Sequence, residues 1–133
     1  MTSGVPYEIY VAAADFRREL RRLRRFSREV SAAAGLKPQH FQAMLSVRAS
    51  PDRRMSIKEL ADDLVLKRHF VSELVDELEA LGLASRASDQ NDGRVVVVSL
   101  TERAEDLLAP VAGAHLAELR RIREPLTCIL ESL

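Results

Sequence analysis

Tryptophan is absent from this chain, and only 5% of its residues are aromatic. A platform for stacking sugars or nucleobases needs several such rings, so the composition argues against that kind of site. A single cysteine, Cys128, rules out an intrachain disulfide and a cysteine-rich metal centre. The three histidines, His40, His69 and His115, lie too far apart in sequence to form a helical metal-binding pair. No phosphate loop or serine-elbow motif occurs, and neither a cofactor nor a catalytic set is expected. No apolar run is long enough to span a membrane, and the polar N-terminus lacks a signal-peptide core, so the expected location is the cytoplasm. Nor is there an excess of one charge: 20 Lys and Arg balance 20 Asp and Glu. Net charge therefore leaves nucleic-acid binding open, and the placement of the charges has to decide.

What is present suffices for one domain with a modest core. Residues 7–34 carry an apolar stripe through Ile9, Phe16, Leu20, Leu23 and Val30 at alternating steps of four and three, which predicts a long helix ended by Gly35. Residues 38–48 predict a second helix with Pro38 in its first turn. The segment Ala49–Arg54 reads as a loop. Ser56 and Glu59 form a capping box before a short helix, and after a turn at 65–67 a longer helix follows. In that longer helix Phe70, Val71, Leu74, Val75, Leu78 and Leu81 share a face, and Gly82 ends it. Thr101 is placed to cap a long C-terminal helical region. There a second four-three stripe runs through Leu108, His115, Leu119, Ile122, Leu126 and Leu133; Pro110 is expected to kink it and Pro125 to break it into two helices.

Between that longer helix and the C-terminal region lies the stretch 85–101. Polar turn residues from Asp89 to Gly93 precede Arg94 and four valines, Val95 to Val98. The pattern is that of a hairpin, the wing of a winged helix-turn-helix. An Arg at the base of such a tip is placed to reach a DNA minor groove. The alternative is a surface hairpin in which Arg94 pairs with Asp89 or Asp92.

The order of elements from Leu36 to Leu108 resembles the MarR family of bacterial transcription regulators. The matching residues are SIKELADDL at 56–64, VSELVDELEALGL at 71–83, Arg86, DQNDGR at 89–94 and SLT at 99–101. The resemblance implies a mainly α fold with a small β-hairpin wing. It divides the chain into a dimerisation helix at 1–35, a winged helix-turn-helix lobe at 36–100 and C-terminal dimerisation helices at 101–133. It also implies a homodimer on a palindromic operator of double-stranded DNA. Such proteins usually act as repressors, and many are released by a small aromatic or lipophilic acid. Gly93 stands where the family often has a basic residue. Lys67 and Lys37 stand where Ser or Thr commonly caps a helix, and Ala104 replaces a frequent Gly.

Residue by residue, the DNA contacts are expected at the start of the reading helix, from Lys67, Arg68, His69, Ser72 and Glu73. Basic residues oppose the dipole at a helix start, so their presence there calls for a partner. Arg94 is expected in a minor groove, and Arg53 and Arg54 beside a passing phosphate strand, with a solvated loop as the alternative for the last two. An effector cleft is expected to be bordered by His40 and Met44 and by Arg17, Arg21 and Arg24 of the first helix. The Arg-rich run 17–28 has three readings: contacts to DNA flanks, an acid-binding site, or a solvated face paired with acids of the last helix. The third is favoured. His115 is read as a structural histidine on the seam, and Cys128 as a small core hydrophobe. The two stripes favour an intersubunit bundle over packing within one subunit. The competing function is a protein-interaction module that keeps the fold without DNA binding.

Overall fold

The computed structural model describes residues 4–133; the first three residues of the expected N-terminal segment lie outside them. Five helices and three short strands follow in the order α1 (Tyr7–Ala33), α2 (Pro38–Ala49), β1 (Arg54–Ser56), α3 (Ile57–Leu64), α4 (Arg68–Ala80), β2 (Ala84–Ser88), β3 (Val96–Leu100) and α5 (Glu102–Glu131).

The helix ends follow from local chemistry. Gly35 (φ 77°) and Gly82 (φ 74°) take the left-handed conformation just past α1 and α4. The amides beyond them fold back onto the last turn, Leu36 N to Ser31 O at 2.8 Å and Leu83 N to Leu78 O at 2.8 Å. At the end of α3 the same position is held by Val65, with φ 57° and ψ 47°. A β-branched residue there is strained, because its Cβ crowds the following carbonyl. The α3 start is the expected capping box: Glu59 N donates to Ser56 Oγ, and Ser56 N donates to Glu59 Oε1, both at 3.0 Å.

One core joins the lobe. Met44, Val47, Leu60, Val71, Val75, Leu78, Leu83 and Val98 are all but closed to solvent. Two residues read as sharing that face do not. Phe70 is 52% exposed and Leu81 37% exposed, because they sit to one side of the Val71–Leu74–Val75–Leu78 strip and α2 does not cover them.

The sheet has the antiparallel order β1-β3-β2. β1 replaces the tail of the expected loop. It pairs Met55 with Val98, while Arg86 of β2 faces Val98 from the other side. Three residues, Arg-Met-Ser, carry no alternation of their own; β3 recruits them by lying beside them.

α5 is one helix through both Pro110 and Pro125, against the expected break. Each proline removes one backbone bond, to the carbonyl four residues earlier. Those carbonyls belong to Asp106 and Arg121, both exposed, so water can satisfy them. The opposite face is held by buried Leu108, Val111 and Ile122.

α1 packs along α5 of the same chain. The buried edge of α1 is Ala12, Glu19, Ser27 and Ser31, offset from the apolar stripe. The stripe itself, Ile9, Phe16, Leu20, Leu23 and Val30, is half-buried. Beside it Tyr7 and Tyr10, and on α5 Leu116, Leu119, Leu130 and Leu133, are between 47% and 76% exposed.

Candidate nucleic-acid interface

α4 and the wing stand on either side of a groove of about 410 Å³. It is lined by Lys58, Arg68, Ser72, Arg86 and Arg94, with Ile57, Val95 and Val96 at its floor and wall. Four positive side chains thus border one concave strip. Arg68, Ser72 and Arg94 were expected here. Lys58 and Arg86 were given no role from the sequence, since Lys58 sits in the first turn of a capped helix and Arg86 inside a strand.

Arg86 is not a free cation. Its Nη1 donates to Asp76 Oδ1 and Glu79 Oε1, and its Nη2 donates to the Ser72 carbonyl at 2.6 Å and to Ser72 Oγ at 3.1 Å. The guanidinium therefore bolts the wing base to the reading helix. Its five donors in one plane suit it to this fork, which a Lys could not make.

Lys67 and Arg68 are exposed and have no ion pair among the described residues. Lys67 occupies the N-cap of α4 without a side-chain cap bond, since an ammonium has no acceptor to offer. His69 is exposed and its ring lies 4.2 Å from that of Phe70. Glu73 is exposed on the same turn. Arg94 projects from the wing, with its side chain 93% exposed. Its Nε meets Asp92 Oδ1 at 3.2 Å, so the surface pairing is present. An exposed pair of this kind contributes at most about 1 kcal/mol, and the terminal donors of the guanidinium stay free.

The loop arginines separate. Arg53 Nη1 reaches Glu105 Oε2 at 3.4 Å, while Arg48 holds the other oxygen of the same carboxylate at 3.1 Å. Arg53 thus ties the loop to the start of α5. Arg54, exposed in β1, has no ion pair among the described residues. The largest cavity, about 660 Å³, lies between α2, β1 and the wing base. Asp52, Glu59, Asp63 and Asp89 border it together with Arg54, so carboxylates outnumber cations there and disfavour a phosphate.

A second site lies below the lobe. A cavity of about 460 Å³ is bordered by Leu23, Arg24 and Arg28 of α1, Phe41 and Leu45 of α2, and His115 and Leu119 of α5. Of the five residues expected to border an effector cleft, only Arg24 lines it. Met44 is fully buried in the lobe core. His40 is 4% exposed and fully engaged. Its Nδ1 accepts from Lys37 N at 3.1 Å, so its Nε2 carries the proton and donates to Glu77 Oε1 at 2.9 Å. That bond first, and the one from Lys37 second, hold the Glu77 carboxyl below its ordinary range. Arg17 and Arg21 point elsewhere on α1. His115 stacks on Phe41 at 4.2 Å and meets Phe26 edge-on at 5.5 Å. Its Nδ1 donates to the Val111 carbonyl at 2.8 Å, leaving Nε2 to accept from Ser27 Oγ at 3.0 Å.

The Arg-rich run pairs within its own helix, not with the acids of α5. Arg18 meets Asp15, Arg22 meets Glu19, and Arg25 meets Glu29, at 2.8 to 3.2 Å. Residues three or four apart on one helix are already neighbours. Of the α5 acids, Glu118 pairs with Arg121, and that hydrogen bond lowers its carboxyl.

A helix pair whose second member lies beside a three-stranded winged sheet defines the chain as a winged helix-turn-helix protein. The MarR family model matches residues 34–95, from just past α1 to the tip of the wing. No curated protein matches the sequence. Among solved structures the chain is similar to AbsC, a MarR family transcriptional regulator from Streptomyces coelicolor: 22% identity, TM-score 0.80, covering 90% of this chain and 81% of that one. It is also similar to Sco3205, a MarR family regulator of the same organism in complex with DNA, at 21% identity and TM-score 0.77 over 90% of this chain and 76% of that one. NadR in complex with 4-hydroxyphenylacetate matches at 20% identity and TM-score 0.74 over 95% and 84%. At these identities the likeness fixes the fold. No helix among the described residues is long and apolar enough to cross a membrane.

Proposed function

We propose that this chain is a dimeric DNA-binding transcriptional regulator, a repressor that sits on a palindromic operator through α4 and the wing. The observation that carries the reading is the groove between α4 and the wing, where Arg68, Lys58 and Arg94 converge. Cations beside a helix sized for the major groove suit a phosphate-bordered groove: Lys58, Lys67 and Arg68 have no ion pair among the described residues, and Arg94 has only the exposed Asp92. The structure of Sco3205 with DNA supports the same use of the fold. The activity proposed is binding, not catalysis, and the proposed location is the cytoplasm.

Salt tests the reading. Affinity for duplex DNA should fall with salt along a straight line in log–log form, with slope about −0.9 for each phosphate neutralised. A protein that binds no duplex at low salt would overturn the proposal.

The apolar cavity with Arg24 and Arg28 at its edge suits a small aromatic acid. Its ring would meet Phe41 and His115 and its carboxylate an arginine. NadR with 4-hydroxyphenylacetate supports the ligand class. Such a ligand acts only if it binds more tightly to a lobe spacing that no longer matches successive major grooves. Salicylate at millimolar concentration should then raise the melting temperature and lower DNA affinity. A panel of aromatic acids that moves neither quantity would remove this part of the proposal.

A further inference from the structure

Three large apolar side chains stand in the open around the start of α4. Val65 is 87% exposed, Phe70 52% and Leu66 37%. Val65 is also strained, a β-branched residue with φ 57° in the left-handed position that α1 and α4 fill with glycine. Strain of this kind concentrates where a side chain is used. Phe70 is the third residue of α4, and its ring lies against His69 at 4.2 Å. With Leu66, Leu74, Gln39 and the carboxylates of Glu73 and Glu77 it borders a cavity of about 260 Å³. Successive helical residues turn by about 100°, so Phe70 and Ser72 look to opposite flanks of the helix. Ser72 lies on the wing side, in the basic groove; Phe70 opens on the other side. Between and beside them stand Lys67 and Arg68, cations without an ion pair among the described residues.

We infer that Phe70, flanked by Val65 and Leu66, is a specificity-determining residue that reads the C5 methyl group of thymine in the major groove. This rests on the DNA-binding reading above. Thymine is the one base that presents an apolar group on its major-groove edge, and an apolar side chain recognises it by excluding water from it. The surroundings fit that occupant: the spot lies at the exposed start of the reading helix next to Lys67, which has no ion pair among the described residues, while Arg68 of the same turn faces the basic groove. An apolar partner protein would have to bury or neutralise Lys67 and Arg68 as well.

The probe is the set of duplexes that the wild-type protein retains from a random-sequence library at low salt. Each thymine in them is replaced in turn by deoxyuridine, which removes only the methyl group. At one symmetry-related pair of thymines the replacement should weaken wild-type binding about three- to fivefold, the worth of one buried methyl. Phe70→Ala should bind the thymine and uracil duplexes alike, with its salt slope unchanged. Phe70→Leu, which keeps an apolar body and guards against a folding defect, should retain most of the preference. Wild-type protein indifferent to every thymine-to-uracil change would overturn the inference while leaving DNA binding intact. So would a Phe70→Ala variant that keeps the preference. A Phe70→Ala variant that instead lowers the oligomeric mass would show that the patch seats a second copy, and would also overturn it. Failure of wild-type protein to retain any duplex would overturn the DNA-binding reading itself, and this inference with it.

Discussion

At the residue scale, the decisive distinction is between cations that are already paired and cations that are not. Arg86, Arg53 and Arg48 are spent on carboxylates within the fold. Arg94 is held by a single exposed carboxylate, which a phosphate can replace at little cost. Arg94→Ala should therefore weaken operator binding by about 1–3 kcal/mol and leave the melting temperature unchanged, since it stands at an exposed hairpin tip. Equal affinity of the two proteins would return Arg94 to its pairing with Asp92. Arg68 and Lys67 differ in chemistry: a planar fork can bridge guanine O6 and N7, whereas an ammonium acts as a point charge. Arg68→Ala should relax base preference at one position of each half-site. Lys67→Ala should weaken all sequences alike and lower the salt slope by about one unit. If both variants lose equally on specific and random DNA, the base readers lie at His69, Glu73 or Phe70.

At the element scale, the reading helix is held from both flanks. On one side Arg86 fastens it to β2 through Ser72, Asp76 and Glu79. On the other, Glu77 receives His40 and Lys37 from the start of α2. α2 also borders the cavity beneath the lobe, so the Glu77 contact joins the wall of the proposed ligand site to the helix proposed to meet DNA. The Glu77 carboxyl lies below its ordinary range in the folded protein. A lowered folded value means a contribution to stability that is complete above the ordinary carboxylate range, near about 4.3, and lost as pH falls through the lowered value. Glu77→Gln should therefore melt below the wild type at neutral pH, and the gap should close on acidification below about pH 4. Thermal melts of both proteins across pH 3–7 check this; a gap independent of pH would mean that the contact is not ionic.

At the scale of the whole molecule, the question is what covers the apolar surface of α1 and α5. Packing within one chain buries an edge of α1 that includes Glu19 and Ser27, and leaves Tyr7, Tyr10, Leu119, Leu130 and Leu133 largely open. A groove of about 240 Å³ between the start of α1 and the end of α5, lined by Ile9, Phe16, Ile129 and Leu133, is part of that surface. An exposed apolar band of this extent suits an interface. Sedimentation at micromolar concentration should show one species of twice the 14.9 kDa chain mass. A stable folded species at the chain mass would sink the dimer and the palindromic operator together.

Much of this was legible in the sequence because it is decided locally. The Ser56–Glu59 box, the stops at Gly35 and Gly82, the polar hairpin tip and the two helical stripes each depend on residues within a few positions of one another. What the chain folds back upon was not legible. β1 exists because β3 lies beside it, and α5 runs through two prolines because its orphaned carbonyls face water while its other side is buried. Phe70 falls on the arithmetic edge of an apolar strip, and only the path of α2 decides that it stays uncovered. His40 and Met44 share a helix with Phe41 and Leu45, yet the turn of that helix sends the first two inward and leaves the others at the cavity. The arginines of α1 show the same division: Arg18, Arg22 and Arg25 meet acids three or four residues away on their own helix, but that Arg24 and Arg28 border a cavity depends on α5 and α2. Periodicity fixes that a face exists; tertiary packing decides what that face meets.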